Sequence, residues 1–127
     1  MNLFLRFMLL IAYLPSSLIV GMLVSGTIAT LIPVWDQYIA AVLLPFMGIV
    51  GAWLIMPKYR IAAAVTYFVI GVTLAYMFAF PSFYPEGHEL AYQDTYLPFI
   101  LTVLVGLTCL ITLVVTDRLR STKDSTE

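Results

Sequence analysis

Four apolar runs, parted by three polar breaks, make up most of this chain, and none of the four contains a charged residue. They cover about residues 7–32, 38–56, 61–80 and 96–115. Crossing a hydrocarbon layer about 30 Å thick takes roughly 20 apolar residues in a helix. Each run meets that length, so the pattern predicts four transmembrane helices in one membrane domain spanning residues 1–127. The fold class expected is an all-α integral membrane protein, a four-helix antiparallel bundle with both termini on one side.

The breaks differ in kind. Asp36 precedes the second run, Pro57-Lys58-Tyr59-Arg60 closes it, and a longer loop at 81–95 separates the third from the fourth. The second break is so short that its flanking helices must form a tight antiparallel hairpin. In the first run, tilt, a bend at Pro15 or a short interfacial segment before Pro15 is expected to absorb length beyond the hydrocarbon thickness. Thr95 is placed to cap the last helix, and Pro98 falls in its first turn, where a missing N–H costs no intrahelical bond. Pro85-Glu86-Gly87 has the composition of a turn. Residues 116–127 form a polar tail expected to fray. A cleaved leader is not expected, because the first run outlasts leader length and offers no convincing small-x-small cleavage site.

Charge orients the spans. The six basic residues, Arg6, Lys58, Arg60, Arg118, Arg120 and Lys123, fall at the N-terminus, the second break and the tail. The other two breaks carry Asp36, Glu86, Glu89 and Asp94 with no Lys or Arg. Short-loop Lys and Arg are retained on the cytoplasmic side, so both termini are predicted to be cytoplasmic, in a plasma membrane or bacterial inner membrane. Aromatic residues fit that depth assignment. Trp35, Tyr38, Phe80, Phe83, Tyr84, Tyr92, Tyr96 and Phe99 gather at the outer boundary, and Phe4, Phe7, Trp53 and Tyr59 at the inner one.

Composition agrees with the pattern: the chain is 62% hydrophobic and only 10% charged, against about 25% charged in an average soluble domain. With no basic stripe on a polar face, nucleic acid is not an expected partner.

Small residues recur at every fourth position of the first run, at Ser17, Gly21, Ser25 and Ala29. The second run has Ala41, Pro45, Gly48 and Ala52, with Gly51 beside them. In lipid, close backbone approach across such faces is a main source of helix association. The two stripes are therefore expected to form a helix-packing interface, within the bundle or toward another subunit or copy of the chain.

Chemistry inside the spans is sparse. Between their end residues, which include Tyr38 and Tyr96, they hold no Asp, Glu, His, Lys, Arg, Asn or Gln, only Ser and Thr, Tyr13, Tyr67 and Tyr76, and Cys109. Embedded ionisable groups mark proton relays and ion paths, so ion-coupled transport is not expected. Thr102, Thr108, Thr112 and Thr116 are expected to bond back to their own helix, and Cys109 to act as a small apolar filler. In the 81–95 loop, Glu86, His88, Glu89 and Asp94 are the only candidates for a metal. A zinc site normally recruits more than one His or Cys, so a solvated acidic loop is the better account. No catalytic residue, cofactor or metal is assigned. If the loop acts, it acts by contact, through Tyr84, His88 and Tyr92. The function expected is a non-catalytic accessory, assembly or stabilising subunit of a membrane complex. The alternatives are a small homo-oligomeric channel and, behind it, a membrane enzyme using His88 and Glu89 as an acid/base pair.

Overall fold

The computed structural model describes residues 2–32, 36–79, 82–83, 89 and 94–126. Four helices account for nearly all of them: α1 (Leu3–Leu31), α2 (Asp36–Ile55), α3 (Arg60–Ala79) and α4 (Leu97–Thr126). All four are long and apolar enough to cross a membrane.

α1 begins earlier than its apolar run, because Asn2 caps it by accepting the Phe4 N–H through its side-chain oxygen. It then stays helical through Pro15 to Leu31. Its 29 residues extend about 44 Å at 1.5 Å per residue, longer than a hydrocarbon layer about 30 Å thick. α2 ends at Ile55 before Pro57, and the turn that follows is closed by the Tyr59 N–H on the Met56 carbonyl at 3.1 Å.

Two further findings depart from the sequence pattern. The first is that α4 does not end near Val115 with a fraying tail; it remains helical to Thr126. Thr122, Ser125 and Thr126 return their hydroxyls to carbonyls of the preceding turn, and Lys123 sits in the last turn, where a cation meets the negative end of the helix dipole. The second is a two-residue antiparallel strand pair, β1 (Ser82–Phe83) with β2 (Asp94–Thr95), in the register Ser82 to Thr95 and Phe83 to Asp94. It ties together the two ends of the loop that joins α3 to α4. Thr95 is buried there, and its Oγ1 accepts the Leu97 N–H at 3.3 Å, supporting the start of α4.

α2 is the central helix: it packs on each of the other three, and α3 also packs on α4. Two apolar clusters lie toward the end that carries the 56–59 turn, called here the basic end. Ala52, Met56, Ala63 and Tyr67 join α2 to α3 and receive Leu10, Tyr13 and Leu14 of α1. Ile49, Trp53 and Ala64 form the other, closed by Phe68 of α3 and by Cys109, Leu110 and Leu113 of α4. The large apolar side chains elsewhere are mostly exposed, Leu23 and Leu104 among them, as suits surfaces that face hydrocarbon.

Candidate functional site

One close contact between α1 and α2 sets tyrosine on glycine. Tyr13 of α1 lies directly over Gly51 of α2, where an added Cβ would overlap the ring and hydroxyl. From there its hydroxyl donates to the Met47 carbonyl at 2.7 Å. Tyr67 of α3 stacks beside it, centroids 6.1 Å apart and tilted by 34°, and donates its own hydroxyl to the Leu10 carbonyl of α1. Two hydroxyls thus bridge three helices through backbone acceptors, which satisfies groups that hydrocarbon would leave unpaired. A second ring-on-glycine contact is apolar: Phe68 of α3 covers Gly106 of α4, with ring atoms 2.8 Å from where a Cβ would stand.

Toward the strand end the helices separate, and a crevice of about 390 Å³ opens between α1 and α3 over α2. Ser17 and Ser25, Ala41 and Gly48, and Gly71 and Ala75 supply its three walls. Tyr67 lines its inner part, Gln37 at the start of α2 contributes an amide, and Pro98 and Thr102 of α4 complete it. The polar groups are mostly engaged. Ser17 and Ser25 donate to the Leu14 and Met22 carbonyls at 2.9 and 3.0 Å, and Thr102 to the Pro98 carbonyl at 3.0 Å. Pro45, in the same lining, has no N–H for the Ala41 carbonyl one turn back. The crevice is therefore apolar, with an amide and one backbone acceptor beside it. A Cβ on Gly71 would meet nothing within 4 Å, so this wall is not packed by the chain itself.

Cations cluster at the basic end. The Arg6 guanidinium donates to the Ile55 carbonyl at the end of α2 at 3.4 Å, Lys58 Nζ lies 5.6 Å from the Tyr59 ring centre, and the Arg60 guanidinium stacks 4.5 Å over Trp53. Trp53 Nε1 and Arg60 Nε are buried without an acceptor. A buried donor left unpaired costs about 1–3 kcal/mol, so this end is rich in donors and short of acceptors.

Of the residues singled out in the sequence, Ser17, Gly21 and Ser25 are buried on α1 and Ala29 is half-buried; Ala41 and Ala52 are buried on α2 and Gly48 is half-buried. Gly21 meets Leu44, whose Cδ2 occupies the place of a Cβ. Thr108, Thr112 and Thr116 bond to carbonyls four residues back, and Cys109 is a half-buried free thiol against the Ile49 cluster. Of the acidic loop, Glu89 lies in a turn and Asp94 in β2, both exposed; Tyr84, Glu86, His88 and Tyr92 lie outside the described residues. Among the described residues no three His, Cys, Asp or Glu side chains are grouped to hold a metal. The tyrosine bridges were not anticipated. Their only signal was a phenol hydroxyl deep in each of two apolar runs, at Tyr13 and Tyr67, where a buried donor needs an acceptor. No known family matches this chain, and neither the curated proteins nor the solved structures contain a significant match.

Proposed function

We propose that this chain is a non-catalytic accessory or assembly subunit of a membrane complex, inserted with its basic end and both termini in the cytoplasm, and that the α1–α3 crevice receives side chains from a partner's transmembrane helix. The crevice itself carries this reading. Protein interiors hold few voids larger than a water molecule, whereas about 390 Å³ between α1 and α3 is unfilled by the chain. A transmembrane helix is about 10–12 Å across, so the space is too small for a whole helix and suits the residues projecting from one. Glycine and alanine at 71 and 75, with serine at 17 and 25, allow that helix to come close, which is how packing forces act between helices in lipid. With the lining hydroxyls engaged by their own helices, the contact would rest on shape. Tyr84, His88 and Tyr92 are proposed as a second contact, at the outer surface.

Photocrosslinking from position 71 tests this. A photoreactive side chain there has room, since nothing stands within 4 Å of the missing Cβ. In native membranes it should yield one adduct with a different chain, in fixed ratio. Adducts only with copies of this chain would favour the channel, and adducts only with lipid would remove the partner from the crevice.

A further inference from the structure

We propose that the basic end carries a binding site for a phosphate-bearing anion, the headgroup of an anionic phospholipid, held between Arg6 and Lys58. The inference rests on the reading that the four helices span a bilayer with this end at a headgroup layer. A second concavity, of about 200 Å³, lies between the start of α1 and the turn after α2, lined by Leu3, Arg6, Met56, Pro57 and Lys58. This is below the ~300–1,000 Å³ of sites that enclose a whole small molecule, and fits one headgroup.

Its lining has two chemistries. Arg6 and Lys58 bring two positive charges, and no ion pair joins either to a carboxylate among the described residues. A guanidinium has five N–H donors, and the Ile55 carbonyl takes up one nitrogen while fixing the group beside the pocket. Leu3, Met56 and Pro57 supply an apolar floor, which an inorganic ion would not use but the glycerol and first methylenes of a phospholipid would cover. The anionic leaflet attracts Lys and Arg near its surface by about 1 kcal/mol each, or about fivefold in binding. Arg118 and Arg120, by contrast, are exposed on the far part of α4 and line neither this pocket nor the crevice.

The test uses the full chain purified in a neutral detergent, with phosphatidylglycerol or phosphatidylcholine added, and native mass spectrometry to count retained lipid. Phosphatidylglycerol should be retained preferentially. Lys58→Gln, at an exposed turn position, should reduce that preference about tenfold, the lower end for one hydrogen bond to a charged group, and R6Q/K58Q should remove most of it. The charge-preserving R6K/K58R and the distant R118Q/R120Q should keep it. Equal retention of both lipids would overturn the proposal, as would an equal loss in R118Q/R120Q, which would mean diffuse attraction and no site. Inorganic phosphate in large excess should not displace the lipid; if it binds alone and strips the lipid, the assignment to a headgroup fails. Alkaline carbonate extraction of the same membranes separates the two levels. A chain that resists extraction but shows no lipid preference loses this site only, while a chain that is extracted was never spanning.

Discussion

At the residue scale, three glycines with the same missing Cβ face different neighbours, and the neighbours determine what substitution would do. At Gly51 a methyl collides with the Tyr13 ring, which cannot swing away without giving up its hydroxyl bond to Met47. At Gly21 the obstacle is Leu44 Cδ2, the mobile end of a flexible side chain. At Gly26 there is no obstacle within 4 Å. Gly51→Ala is therefore expected to lower stability by about 1–3 kcal/mol, the usual cost of overpacking. Gly21→Ala should cost less than that, and Gly26→Ala should be neutral or gain up to about 1 kcal/mol from helix propensity. Unfolding of the three variants in mixed micelles should rank them in that order; equal effects at 51 and 26 would show that Tyr13 does not sit over Gly51. The hydroxyl can be tested apart from the ring. Tyr13→Phe keeps the shape and removes the donor, and interhelical hydrogen bonds in membranes average about 0.6 kcal/mol. A loss near that size is expected in the same assay, well below the effect of Gly51→Ala.

At the element scale, how much could be read from the sequence depended on which force set each boundary. The spans were legible because bilayer thickness and apolar run length are directly comparable. Thr95 at the start of α4 was legible from capping chemistry, and it does accept the Leu97 N–H. The extension of α4 was not, because hydropathy sees only where the polar residues begin. Asp117, Arg118, Leu119, Arg120 and Lys123 are polar or exposed yet mostly sound helix formers, so a helix already nucleated in the span continues through them. The strand pair was not legible either, since two residues in each strand carry no periodicity. A proline tests the extension: Ser121→Pro, at an exposed position, should unravel residues after about 116 at a local cost of about 3 kcal/mol. Helix content by circular dichroism should fall while the unfolding midpoint of the bundle stays put. A fall in both would mean that the extension packs on the rest of the chain.

On the scale of the whole molecule, the clusters and cations sit together at one end and the crevice opens toward the other. The basic end is closed by the Tyr13–Tyr67 bridges and the short 56–59 turn, and α2 holds its three neighbours there. The candidate partner surface was half legible. The stripe Ser17, Gly21, Ser25 announced a close approach, but the sequence could not say that Gly21 would meet Leu44 while the walls beyond Ser25 and Gly71 would stay open. That distinction depends on where α1 and α3 diverge, which no local pattern encodes. The proposed orientation places all of this in a membrane: the basic end on the cytoplasmic side, and the strand pair with Glu89 outside. It can be tested directly on the sole cysteine background, with Cys109 changed to alanine and single cysteines placed at 58, 89 and 121. In intact cells, a membrane-impermeant maleimide should label position 89 and leave 58 and 121 unlabelled until the membrane is opened. Labelling at 58 and 121 but not 89, or at all three, would contradict the account.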